Sequence, residues 1–144
     1  IQDIKYADLT NIKIQEVKGR FEIVNDCPVK IIDGAHNREG VEILLRNYEN
    51  KYGHLNTDIF LGFKKGKDIN NILNLIIGKT NYNLHLIEDD TFFDQEITKE
   101  IGYLLDKHGK NYKIASLEQF KKNKNPSILL GSLYLIGEYK KREL

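Results

Sequence analysis

The sequence has little cysteine and no excess of charge of either sign. Its 144 residues contain one cysteine, Cys27, which excludes a disulfide framework, and no Cys/His cluster has the spacing of a structural zinc site. Lysine and arginine number 22 against 21 aspartates and glutamates. Overall charge therefore gives no support to a polyanion-binding surface, and we expect no nucleic-acid partner.

Long apolar runs, a signal-peptide pattern and methionine are also missing from this sequence. No run approaches the roughly 18 apolar residues that a membrane span needs, and no signal-peptide pattern opens the chain. We therefore expect a cytoplasmic protein with no membrane partner. A chain of 144 residues can bury an ordinary single-domain core. Because methionine is missing altogether, we expect the chain to be a fragment of a longer protein.

The spacing of apolar residues changes repeatedly along the chain. Short apolar runs predict strands, and apolar residues at i, i+3, i+4 and i+7 predict helices between them. The alternation predicts an α/β fold, a Rossmann-like three-layer α/β/α sandwich with a mainly parallel sheet of about six strands. This domain is expected over 18–144, while 1–17 look like an interdomain linker or the tail of a preceding domain. The predicted strands are 19–24, 29–32, 58–63, 82–87, 112–115 and 127–130.

Helix ends carry their own signals. Asp68 is a predicted N-cap, and Ser116 forms a predicted capping box with Gln119. A helix is predicted over 94–108 with His108 on its apolar side, and Leu133 begins the closing helix.

One strand end is followed by residues suited to ligand binding. Ligands of open parallel sheets bind beyond the carboxyl ends of strands, where helix N-termini point. The run Asp33, Gly34, Ala35 and His36 combines a carboxylate, two small residues that admit a ligand to the backbone, and an imidazole before a helix. In the alternative interpretation, Asp33 and Asn37 only cap that helix and His36 is an ordinary loop residue.

A second such strand end is Gly131-Ser132. Ser132 could bind a carboxylate or phosphate where the closing helix starts, or it could serve only as the N-cap.

Other patterns indicate no site. Gly78-Lys79-Thr80 lacks the earlier glycine of a P-loop and follows a helix instead of preceding one. The acidic run 88–90 is interpreted as solvated, Cys27 as an inert thiol, and the remaining histidines lack metal-ligand spacing: His54, His85 and His108.

Four motifs, taken in order, resemble those of one family. They are GRFE at 19–22, DGAHN at 33–37, GKD at 66–68 and GSLYLIGE at 131–138. At this spacing they resemble the carboxy-terminal domain of folylpolyglutamate synthase, which in bacteria is often bifunctional with dihydrofolate synthase. The domain is shared with the Mur ligases of peptidoglycan synthesis, but Gly34 and the Gly-Ser-Leu-Tyr block favour the folate branch.

The resemblance implies an ATP-dependent ligase. In this chemistry ATP phosphorylates a carboxylate of folate or dihydropteroate to an acyl phosphate, and the amine of L-glutamate then displaces phosphate. Carried over by position, Arg20 and Asp33 are implied to bind the nucleotide, and His36 and Ser132 the incoming glutamate. The sequence departs from the family at 17–18, where Trp-Pro is usual, and at Arg38, where proline is usual.

The resemblance also implies what lies elsewhere. Mg²⁺ and the triphosphate are expected to bind an amino-terminal P-loop domain, so no catalytic residue and no metal ligand is assigned to this chain. The full-length enzyme is expected to be a monomer whose domains close over the substrates, and the isolated chain to be inactive. Asn37 is interpreted as an N-cap and Tyr134 as a packing residue. Two alternatives stay open: a Mur ligase carboxy-terminal domain, and a non-catalytic Rossmann-like nucleotide-binding module.

Overall fold

A computed structural model describes residues 19–64, 68–89 and 94–143. The expected linker at 1–17 and the first two residues of the GKD motif lie outside the described residues. In chain order the elements are β1 (Glu22–Asp26), β2 (Val29–Asp33), α1 (Arg38–Tyr52), β3 (Thr57–Leu61), α2 (Ile69–Ile77), β4 (Tyr82–Ile87), α3 (Gln95–Lys107), β5 (Tyr112–Ala115), α4 (Leu117–Lys122), β6 (Ser127–Leu130) and α5 (Leu133–Glu143).

The strands form one six-stranded sheet over the described residues, in the order β1-β2-β6-β3-β4-β5. Neighbouring strands are parallel except for the antiparallel pair β1 and β2. All residues of β2, β3 and β6 are buried, as expected of strands covered on both faces. The predicted α/β fold with a mainly parallel sheet is confirmed.

Helices cover the two faces of the sheet unequally. The larger apolar cluster packs α1, α2 and α3 against one face, through residues such as Leu44, Ile72 and Leu105. The smaller cluster packs α4 and α5 against the other, through Phe120 and Tyr139. This arrangement is the predicted three-layer sandwich. Among the described residues, no helix combines the length and apolarity needed to cross a membrane.

Most predicted helix signals are confirmed. The Asn37 side chain accepts a hydrogen bond from the Gly40 N–H and begins α1, and Ser116 and Gln119 form a complete capping box at α4. The prediction for Asp68 is wrong in its detail, because its carboxylate accepts from the Asn71 side chain and not from a backbone N–H of α2.

Three further predictions are wrong. The first strand begins at Glu22 and not at residue 19, because the preceding residues form a turn. His108 is exposed at the end of α3 and does not belong to its apolar side. Asp89 is not solvated: its carboxylate accepts two hydrogen bonds from the Arg142 guanidinium, at 2.6 and 2.8 Å, and one from the Leu117 N–H. This pair ties the start of α4 to the end of α5.

Candidate functional site

The two strand ends singled out in the sequence are neighbours in the sheet. In the parallel ladder of β2 and β6, Asp33 pairs with Leu130. The contact continues beyond the strands, because the Gly131 N–H donates to the Ala35 carbonyl at 3.0 Å. The carboxyl ends of both strands therefore open onto one edge of the sheet, as the topology of parallel sheets predicts.

Asp33 lies at the centre of this edge and is only 5% exposed. Its Oδ2 accepts a hydrogen bond from the Phe21 N–H at 3.0 Å, and its Oδ1 accepts one from the Ala35 N–H at 2.8 Å. Burial raises the pKa of Asp33, while the two backbone bonds and the nearby Arg20 charge oppose that rise. Asp33 is thus not a helix cap. It joins the turn that carries Arg20 to the loop that carries His36.

Arg20 is exposed on a turn, residues 19–22, that closes against the end of β2. The Gly34 N–H donates to the Gly19 carbonyl at 2.6 Å, which joins the turn to the DGAHN motif. Gly19 has φ +78° and Phe21 has φ +44°. The left-handed conformation suits glycine but is strained for phenylalanine, so the turn needs support from its surroundings.

Glu22 gives part of that support, and sequence reasoning assigned it no role. Its Oε1 accepts hydrogen bonds from the Gly19 N–H at 2.9 Å and from the Lys140 Nζ at 2.8 Å. The first bond closes the turn within the GRFE motif, and the second attaches it to α5. The spacing of three residues between Gly19 and Glu22 is a signal in the sequence from which the first bond could have been predicted. Nothing in the sequence indicates the contact between Glu22 and Lys140.

His36 and Ser132 occupy the two loops beyond β2 and β6. His36 is half-buried, and its Nδ1 lies 3.0 Å from the Gly34 carbonyl oxygen. Ser132 is buried, and its Oγ accepts a hydrogen bond from the Tyr134 N–H at 3.1 Å, so the predicted N-cap contact is present. A hydroxyl in this state retains its own hydrogen as a donor for a bound oxygen atom.

Close backbone contacts explain the glycines of this edge. Gly131 has φ +121°, and a Cβ there would overlap the carbonyl oxygen of Gly62, in the loop after β3. A Cβ at Gly34 would overlap the side chain of Leu133. The loops after β3 and β6 therefore pack backbone against backbone at Gly131, where only glycine permits the approach, and the loop after β2 packs against the Leu133 side chain.

Tyr134 is not the packing residue that the sequence suggested. It is about half exposed, and the Lys64 Nζ lies 3.9 Å from the centroid of its ring. Lys64 follows β3, so this cation–π contact connects the third loop to the start of α5. Lys64 was missed because no local pattern distinguishes it from other exposed lysines.

A cavity of about 620 Å³ lies at the opposite edge, near the amino ends of β3, β4 and β5. Its buried carboxylate, Asp58, accepts hydrogen bonds from three side chains: Asn83, Asn123 and Asn125. Burial alone would raise the pKa of Asp58, but these amides and His85 together lower it. The amides stabilise the loop before β6, and this edge contains none of the four predicted site residues.

No group of His, Cys, Asp or Glu side chains within 19–64, 68–89 and 94–143 could hold a metal ion. One edge of the sheet thus carries the four predicted site residues, and the described side chains there form no metal-binding cluster. The four are Arg20, Asp33, His36 and Ser132. The arrangement offers a cation, hydroxyl and imidazole groups and a loop backbone to a ligand that approaches the strand ends.

Comparison with known proteins gives one curated relative and several solved structures, and no family model matches the chain. The relative is the dihydrofolate synthase/folylpolyglutamate synthase of Bacillus subtilis, which is 26% identical over 130 residues. The match covers 86% of this chain and 30% of the relative. The chain thus spans about a third of the length of the protein that it resembles.

Solved folylpolyglutamate synthases share the fold. The enzyme of Thermotoga maritima aligns with a TM-score of 0.72 and 24% identity, covering 88% of this chain and 30% of that one. The Mycobacterium tuberculosis enzyme, complexed with ADP and AMPPCP, aligns with a TM-score of 0.68 and 16% identity over 88% of this chain and 32% of its own. The similarity to the folylpolyglutamate synthase family that the four motifs indicate is therefore confirmed, in sequence over most of this chain and in fold.

Proposed function

We propose that residues 18–144 are the carboxy-terminal domain of an ATP-dependent ligase that adds L-glutamate to folate or dihydropteroate through an acyl phosphate. The observation that carries the proposal is the convergence of Arg20, Asp33, His36 and Ser132 on the edge formed by β2 and β6. The comparisons support it, because one solved bifunctional folylpolyglutamate synthase/dihydrofolate synthase of the same fold has Mn, AMPPNP and L-glutamate bound.

On the nucleotide side, Arg20 is the ligand that the geometry favours. Its guanidinium is exposed on the turn and carries a permanent charge with several N–H donors, which suits phosphate or ribose oxygens. Asp33 acts first as a positioning residue, since both carboxylate oxygens already accept backbone N–H groups. Each oxygen retains lone pairs, so the carboxylate can also accept a ribose hydroxyl that reaches it.

On the amino-acid side, Ser132 provides a donor and His36 an acceptor to glutamate. The Ser132 hydroxyl accepts from the Tyr134 N–H, which leaves its hydrogen to donate to a carboxylate oxygen. The start of α5 adds the partial positive charge of a helix N-terminus. His36 lies in the adjacent loop, where its Nδ1–H donates to the Gly34 carbonyl, so that the Nε2 of the neutral ring is left to accept a hydrogen bond from the glutamate amine.

The chemical step itself needs few groups from this chain. An oxygen of the substrate carboxylate attacks the γ-phosphorus of ATP and ADP leaves; the glutamate amine then attacks the acyl carbon, phosphate leaves, and the nitrogen loses a proton. The proposal places Mg²⁺ and the P-loop in a preceding domain, as the family resemblance implies, and this chain binds, orients and shields the reactants.

The test is steady-state kinetics of the full-length ligase that contains this chain. Arg20→Ala should weaken ATP use, as kcat/KM, by about tenfold or more. Ser132→Ala and His36→Ala should raise the KM for glutamate and leave the KM for ATP nearly unchanged. Asp58→Asn, a buried carboxylate on the opposite edge, is the matched control and should alter neither KM. Unchanged kinetics in the three site variants would remove the assignment.

A further inference from the structure

The turn that carries Arg20 has a backbone conformation that needs outside support. The residues on either side of Arg20 both have positive φ, +78° at Gly19 and +44° at Phe21, and the second value is strained for a residue with a large side chain. Strain of this kind persists only where surrounding contacts hold the backbone. Because Arg20 is exposed, the position of this turn decides from where its guanidinium can reach a ligand.

One side of the turn is attached to the loop after β2. The Gly34 N–H donates to the Gly19 carbonyl at 2.6 Å, and the Phe21 N–H donates to Asp33 Oδ2 at 3.0 Å. Both bonds lead to the DGAHN motif, and the proposed function already includes them through Asp33.

The other side of the turn is attached to α5. Among the contacts of Glu22, its Oε1 accepts from the Gly19 N–H at 2.9 Å and from the Lys140 Nζ at 2.8 Å, so a single oxygen joins the turn to the helix. The Ile136 side chain also packs against Gly19, where a Cβ would lie 3.5 Å from its Cγ2. Ile136 and Lys140 are four residues apart and share one face of α5, so this face holds the turn at two successive helical turns.

The ion pair between Glu22 and Lys140 is better suited to positioning than to stability. Both side chains are 33% exposed, and water screens such a pair enough that it adds little to the free energy of unfolding. It is, however, a charge-assisted hydrogen bond to the oxygen that closes the turn. The turn cannot move along the edge of the sheet without lengthening that bond, and small displacements of a ligand-binding group are costly to catalysis.

We propose that Lys140 is a positioning residue for Arg20, on which it acts through Glu22 and the turn at 19–22. This inference rests on the proposed function and adds to it that α5 sets the position of the nucleotide-binding turn. The same helix begins beside Ser132, whose carbonyl accepts the Ile136 N–H at 3.2 Å. Because Lys140 acts on the turn and not on Ser132, its loss should affect the use of ATP and not that of glutamate.

The experiment measures the KM for ATP and the KM for glutamate in the full-length ligase. Lys140→Met removes the charge and should raise the KM for ATP about threefold or more, while the KM for glutamate stays within about twofold. Lys140→Arg keeps a cationic donor and should restore the KM for ATP to near the wild-type value. Lys141→Met is the matched control, because it removes a lysine of the same helix that pairs instead with Glu138. It should alter neither KM.

A double-mutant cycle tests whether Lys140 acts through the turn. In the Arg20→Ala background, Lys140→Met should raise the KM for ATP no further, since no guanidinium remains to be positioned. Glu22→Gln keeps an acceptor for the Gly19 N–H but loses the charge that attracts Lys140, so it should raise the same KM. A further rise in the Arg20→Ala background, or normal ATP use in Glu22→Gln, would refute the proposed route.

The remaining outcomes separate this inference from the proposed function. If Lys140→Met behaves like Lys141→Met while Arg20→Ala still impairs ATP use, the role of Lys140 is refuted and the proposed function stands. Equal rises in both KM values would show that α5 is displaced as a whole, and they would also refute the role. If Arg20→Ala and Ser132→Ala are silent, the proposed function has failed, and the positioning role fails with it.

Discussion

Replacing Asp33 with alanine should destabilise the fold and loosen the turn that carries Arg20. The substitution removes the acceptor of two backbone N–H groups, one buried at Ala35 and one partly buried at Phe21. Hydrogen bonds to charged groups contribute about 1.5–3 kcal/mol each, but the carboxylate also loses solvation on burial, which raises its pKa. We therefore expect a net loss of about 2–4 kcal/mol in the free energy of unfolding.

Urea unfolding followed by circular dichroism measures this loss. Asp33→Asn keeps one acceptor oxygen and should lose about half as much. Asp26→Ala removes an exposed carboxylate at the end of β1 and should stay within about 0.5 kcal/mol of the parent chain. A loss at Asp33→Ala no larger than that at Asp26→Ala would show that Asp33 does not hold the turn, and the reasoning would be wrong.

Three other predictions concern the packing and the pH response of the fold. Gly131→Ala should cost at least about 2 kcal/mol by the same unfolding assay, because its φ of +121° and the Gly62 carbonyl leave no room for a Cβ; a neutral effect would contradict the packed loops. Gly137→Ala, inside α5 with nothing near its would-be Cβ, should instead stabilise by about 0.5–1 kcal/mol. Burial lowers the pKa of His85 from 6.5, although Asp58 opposes this, so the unfolded chain binds more protons and stability should fall as pH drops below that value. His85→Phe preserves stacking on Phe60 and should reduce the fall in the free energy of unfolding as the pH drops below 6.5. If the free energy of unfolding falls with pH as it does in the parent chain, His85 is not the group that causes the fall.

Much of the fold could be predicted because its signals are local. The ranges of β4, β5 and β6 agree with the predicted ones, and α3 agrees to within one residue at each end. Period-2 and period-3.6 patterns, capping residues and turn glycines suffice for these elements. The first strand was misplaced because the apolar residue Phe21 looks like a strand residue, while its conformation is decided by the distant Asp33.

The candidate site was partly predictable for a different reason. Parallel sheets gather the residues that follow neighbouring strands, so placing Asp33 and Ser132 after strands was enough to expect them on one edge. The contacts between Glu22 and Lys140 and between Lys64 and Tyr134 join residues far apart in the chain. No local pattern reports such pairs, and the half-exposed position of Tyr134 follows from helix register that only packing decides.

The most direct test of the central claim is an NMR titration of this chain with ATP and Mg²⁺, followed through backbone amide shifts. The proposal predicts weak binding, with a Kd on the order of 1 mM or above, because it assigns the triphosphate site to another domain. Shifts should be confined to the strand-end loops, with Gly34, Ala35 and Gly131 among the amides that move. Shifts that instead map to the cavity around Asp58 and Asn83 would contradict the account.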